Sequence, residues 1–146
     1  MNEQTTPATP LVSLSTLMTP SKTVSIDFPD MEGFSVDLCY LARDELMKLR
    51  SRCLKQKFNK KTRAFEETLD ENIFLVEYVK SIIKGWKGLK YKYLKELMLV
   101  DVESMSEDDA LPFTRENAEL LMKNSLDFDT WVTETVGDLE NFTKTK

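Results

Sequence analysis

Histidine is absent from this 146-residue chain, glycine occurs only four times and cysteine twice. Each scarcity excludes something. Without histidine the chain lacks the commonest general base and the commonest zinc ligand, so most hydrolytic mechanisms fall away. No GxSxG, no P-loop GxxxxGK[ST] and no GxGxxG run occurs either. An enzyme would have to work with carboxylates, and the local clusters Glu66-Glu67, Asp70-Glu71 and Asp108-Asp109 sit where helix caps or solvated loops are expected. Asp101, Glu103, Asp108 and Asp109 lack the spacing and the glycine of a calcium loop. Cys39 and Cys53 are too few for a disulfide scaffold and too far apart for a CxxC motif, so both are expected to be reduced, partly buried thiols. No stretch reaches the roughly 18 to 20 apolar residues of a membrane span, and the N-terminus lacks a signal peptide's basic flank and apolar block. The expectation is a soluble, intracellular, non-catalytic protein without cofactor or metal and without a membrane partner.

What is present is enough for one modest core: 41% of the residues are hydrophobic. Charge is segregated along the chain. Residues 1–41 carry −4, residues 42–100 carry +7 from fifteen basic against eight acidic side chains, and residues 101–146 carry −8, giving the overall −5. A basic middle between acidic ends suits either a nucleic-acid site or an acidic C-terminal part folded back on basic helices; the low pI of about 4.9 favours the second.

Pro7, Pro10 and Pro20 interrupt a Thr- and Ser-rich stretch, which predicts a flexible N-terminal arm over residues 1–23. Its Leu11, Val12, Leu14, Leu17 and Met18 are unusual for a linker and would suit docking on a partner or sister subunit. Val24, Ile26 and Phe28 alternate with polar residues; after turn signals at Pro29-Asp30 and Glu32-Gly33, Phe34, Val36, Leu38 and Tyr40 alternate again. That pattern predicts a β-hairpin. From Leu41 the period changes, and Leu46, Leu49, Cys53 and Phe58 predict one helix of about five turns, followed by a basic connecting loop with Lys60, Lys61 and Arg63.

The segment Leu69–Leu89, LDENIFLVEYVKSIIKGWKGL, reads as an amphipathic helix. Thr68 and Glu71 form its expected capping box, Ile73, Val76, Val79 and Ile83 its stripe, Gly85 its C-cap, and Trp86 locks the exit. Lys87–Val100 is ambiguous between a short helix and an extended piece, and Asp101–Asp109 reads as an acidic loop. Thr114 is a good N-cap for a helix carrying Ala118, Leu121 and Met122, with Asn124 near its end. Phe128, Trp131, Val132, Thr135, Val136 and Leu139 give the cleanest amphipathic pattern, with Phe142 extending it before a short basic tail, residues 143–146. The expected fold is mainly α (α+β): a small helical domain of about four helices over residues 24–142 with a short N-terminal β-hairpin.

The order FPDMEGFSVDLCYLARDELMKLR, FEETLDENIFLVEYVKSIIKGWKGL, LPFTRENAELLMK and a terminal helix containing Trp131 resembles the tail assembly chaperones of long-tailed (siphovirus-type) bacteriophages. The likeness covers residues 26–136. Two departures are the long charged stretch between Gly88 and Pro112 and the arm before Val24. The resemblance implies a late protein of viral tail assembly that binds the tape-measure protein and keeps it soluble during tube assembly. It would act in the host cytoplasm and be absent from the mature virion. In relatives with a frameshifted longer product, the tail tube protein is a second partner; self-association stays open. A chaperone of a long apolar helical client needs exposed aromatic surface, and Phe74, Tyr78, Trp86, Tyr91 and Tyr93 are the candidate contacts. Of these, Phe74 and Trp86 also suit the core, whereas Tyr91 and Tyr93 stand among lysines. A structural tail or head-completion protein would share this composition. A nucleic-acid-binding protein would use the basic middle with Tyr91, Tyr93 or Trp86 for stacking, but no reader motif is present.

Overall fold

Alternation in the sequence becomes a sheet at the N-terminal end of the computed structural model, which describes residues 11–143. The basic tail, Lys144 and Lys146, and residues 1–10 of the arm lie outside the described residues. A one-turn helix α1 (Leu14–Leu17) buries nothing and precedes β1 (Ser21–Asp27), which pairs antiparallel with β2 (Ser35–Leu41). The turn between them is closed by Phe28 N–H donating to the Phe34 carbonyl at 2.9 Å, with Asp30 and Gly33 at positive φ. Register places Val24 opposite Leu38 and Ile26 opposite Val36, so these apolar residues of both strands share one face of the hairpin.

Helix α2 (Arg43–Arg52) is shorter than the periodicity predicts. It stops at Cys53, and the chain enters β3 (Leu54–Asn59), which pairs with β4 (Ala64–Leu69) as a second two-stranded sheet. The expectation of helix as far as Phe58 fails because Leu54 and Phe58, four residues apart, share one face of a strand as well as of a helix, and a six-residue strand is too short to separate the two periods. Asp70 N–H donates to the Cys53 carbonyl at 2.8 Å and closes the base of this hairpin.

Helix α3 (Glu71–Ile82) begins at Asp70, not at a Thr68–Glu71 capping box. Thr68 is held in the ladder opposite Lys55, and the Asp70 Oδ1 accepts from Ile73 N–H at 3.1 Å in its place. Nor does Gly85 cap the helix. The chain passes from α3 directly into β5 (Ile83–Lys87), which pairs with β2 and completes a sheet of order β1-β2-β5. The register shift between Asp37 and Leu38 lets Lys84 and Gly85 absorb one extra residue as a bulge. The left-handed glycine is Gly88, φ 76°, where a methyl group would collide with the Gly33 carbonyl oxygen.

Four more helices follow: α4 (Tyr91–Leu97), α5 (Arg115–Asn124), α6 (Leu126–Val136) and α7 (Glu140–Thr143). Thr114 caps α5 through Asn117 N–H at 3.0 Å, as its position predicts, and buried Ser125 ends α5 and caps α6 through Phe128 N–H at 3.1 Å. Helices α3 and α6 pack on β2, and α5 packs on both helices. Val36, Leu38, Ile83 and Trp86 project from one sheet face into the core with Val79, Ile82, Leu121, Phe128 and Val132. A mainly helical domain of about four helices is therefore not what this chain forms. Among the described residues, seven helices account for 44% of the structure and five strands in two antiparallel sheets for 25%, a mixed α/β architecture.

Candidate functional site

Helices α2, α3, α5 and α6 leave a groove of about 370 Å³ between them. It is lined by Leu46 and Arg50 from α2, Glu71, Phe74, Leu75 and Tyr78 from α3, Met122 from α5, and Asp129 and Thr133 from α6. Phe74 and Tyr78 lie one turn apart on α3, and the i, i+4 spacing stacks their rings, with centroids 5.3 Å apart and planes at 14°. Both are half-buried, with Leu46 more open at the lip. Burial pushes the Tyr78 hydroxyl above the usual phenol range; the Thr133 hydroxyl offsets part of that and the Asp129 carboxylate adds to it. Thr133 in turn donates to Asp129 Oδ1 at 3.2 Å. The groove is thus a mostly apolar slot with two carboxylates and one guanidinium in its lining. It suits an apolar side chain or an amphipathic segment better than a polar metabolite.

The other three candidate contacts stand elsewhere. Trp86 is in the core at 8% exposure, with Phe113 at 5.0 Å and Phe128 at 6.4 Å edge-on to it, and its Nε1–H donates to the Leu111 carbonyl at 3.0 Å. Tyr91 and Tyr93 are half-buried on α4 and pack against the core. The Tyr93 hydroxyl donates to the Glu32 carbonyl at 2.7 Å, tying α4 to the β1–β2 turn. The lysines around them are engaged by the acidic loop: Lys92 meets Asp108 at 3.3 Å and Lys95 meets Glu107 at 2.8 Å. Lys95 accordingly holds the Glu107 carboxyl below the usual range, and Glu107 raises Lys95. This is the acidic C-terminal part folded back on the basic middle that the charge segregation suggests.

Of the five candidates, Phe74 and Tyr78 line the groove, and the sequence does not signal the residues that line it with them: Leu46, Arg50, Leu75, Met122, Asp129 and Thr133. These come from three further segments and share no local motif; only the packing of four helices assembles them. Among the described residues no cluster of His, Cys, Asp or Glu has the arrangement of a metal site, and no helix is long and apolar enough to cross a membrane. Cys39 and Cys53 are both free and buried, and burial, with the Glu77 carboxylate adding to it, pushes the Cys53 thiol up.

The family described as YdaY prophage protein matches residues 41–146, which takes in the second hairpin, every element of the groove and the core helices. The chain belongs to the YdaY prophage protein family. No curated protein and no solved structure matches it. Membership makes this YdaY-family chain phage-derived, in agreement with the phage origin that the ordered motifs imply, and does not specify tail assembly.

Proposed function

We propose that this phage-derived protein is a tail assembly chaperone whose groove receives an apolar helical segment of the tape-measure protein and keeps that protein soluble while the tail tube assembles. The observation that carries the reading is the groove itself, with stacked Phe74 and Tyr78 as its floor and Leu46, Leu75 and Met122 around them. An amphipathic helix laid into such a slot is a standard mode of peptide recognition, anchored by a few apolar side chains. Exposed Met47, Ile73, Leu120 and Leu126 on the same helices would extend the contact surface. The reading includes no catalytic step, and it places the protein in the host cytoplasm during assembly and outside the finished virion.

The test is co-expression with the cognate tape-measure protein. The pair should co-purify without added nucleotide, and Leu46→Asp or Phe74→Ser should release the client while circular dichroism of the chaperone stays unchanged. Moderate salt should leave an apolar complex intact, whereas a complex held by phosphate contacts would weaken by orders of magnitude. A tape-measure protein that is soluble alone, or this chain persisting in mature particles, would refute the proposal.

A further inference from the structure

The β3–β4 hairpin leaves an aromatic face uncovered. Phe58 and Phe65 pair directly across the strands, 5.3 Å apart and edge-on, yet are 49% and 69% exposed. Leu54 and Leu69 lie on the same face nearer the base. Neither strand packs extensively on any element but the other. A lone two-stranded ribbon is marginal in water, so such a face needs cover. Lys55 and Lys57 alternate onto the opposite face, and Lys60, Lys61 and Arg63 crowd the turn. Among the described residues only Lys55 of these five has an ion pair, with Asp70 at 3.6 Å. With Glu66 and Glu67 counted, this hairpin arm, residues 54–69, carries +3 and the rest of the chain −8.

The chemical complement of this arm is an apolar slot with carboxylates in its lining, which describes the groove of the same protein, where Glu71 and Asp129 outnumber the single cation Arg50. The arm does not reach its own groove. No residue of β3 or β4 lines it, and the arm base is pinned by Arg52–Glu77 at 3.8 Å and by the Asp70–Cys53 backbone bond. We propose that the arm of one copy seats Phe58 and Phe65 in the groove of a second copy, directing Lys60, Lys61 and Arg63 toward that copy's Glu71 and Asp129. Reciprocal exchange closes a two-fold dimer; a one-way contact runs head to tail. A nucleic-acid strand fits less well, because Lys55 and Lys57 stand on the face opposite Phe58 and Phe65, and the ribbon rises from a body of net charge −8 that repels phosphates. Self-association of this kind does not depend on the client reading. Where both hold, client and arm compete for one groove.

Sedimentation equilibrium of the full chain over a range of concentrations should give masses above the 16.9 kDa monomer. The double variant Phe58→Ser/Phe65→Ser should weaken association by about tenfold or more, the scale of losing buried aromatic anchors. It should keep its circular dichroism, since the arm lies off the core. Lys60→Glu/Lys61→Glu should also weaken association, and mixing that chain with Glu71→Lys/Asp129→Lys should restore a complex that neither forms alone. A chain lacking residues 1–18 should associate as the parent does. A parent that is monomeric at every concentration, arm variants with unchanged mass, loss of association on removing residues 1–18, or arm variants that lose only nucleic-acid binding would each overturn the proposal.

Discussion

Replacing Trp86 with alanine removes the ring at the junction of sheet and helices. Trp86 sits in β5 opposite Val36, buried to 8% exposure, edge-on to Phe113 and Phe128, with its indole N–H on the Leu111 carbonyl at 3.0 Å. Two contributions are lost together. Truncating a buried tryptophan costs about 3–5 kcal/mol in transfer and cavity energy. Set against the roughly 5–15 kcal/mol stability of a domain, that is about a fifth or more of the total. At about 2–4 °C per kcal/mol for a chain of this size, the melting temperature should fall by about 6–20 °C. Trp86→Phe separates the contributions, because it keeps a ring against Phe113 and Phe128 and loses mainly the hydrogen bond, for about 0.5–1.5 kcal/mol. Urea unfolding of the three proteins, followed by circular dichroism, should therefore order them parent, phenylalanine, alanine, with similar slopes. An alanine variant with the parent's midpoint and weakened client binding would refute the core role and return Trp86 to the contact surface.

Gly88→Ala should be as damaging for a different reason: at φ 76° an L-residue costs about 1–2 kcal/mol, and the methyl group would also strike the Gly33 backbone of the first turn. Its urea midpoint should fall clearly below that of Gly137→Ala, whose glycine has an ordinary φ of −80°; equal midpoints would refute the close approach. Asp70 gives a pH prediction: donation from Ile73 N–H, helped by Lys55, holds its carboxyl below the usual carboxylate range. A folded-state pKa depressed in this way contributes stability that is fully present above the unfolded value of about 3.9 and is lost as pH falls through the folded value. Asp70→Asn should therefore flatten part of the acid limb of the stability profile measured by urea unfolding between neutral pH and pH 3; an unchanged limb would show that the cap does not titrate with folding.

Local pattern determined much of this protein. The alternation of Val24, Ile26, Val36 and Leu38 specified the first hairpin, and the stripes from Ala118 to Met122 and from Phe128 to Val136 specified α5 and α6, with Thr114 as a legible cap. These signals are readable because each element buries one face, and burial imposes a period on the residues that form it. What local pattern could not determine was where two periods overlap. The spacing of Leu54 and Phe58 suits a helix and a strand equally, and Val79, Ile82 and Ile83 continue a helical stripe although pairing with β2 extends the chain from Ile83 onward. Tertiary structure decided both cases. In β5 an open edge of β2 takes up backbone groups that a longer helix would have satisfied internally, and Trp86 gains the core by joining the sheet. The groove follows the same logic: Phe74 and Tyr78 are neighbours by helical spacing alone, but Leu46, Met122 and Asp129 reach them only because α2, α3 and α6 pack on β2 and α5 packs on α3 and α6, a relation no sequence window contains.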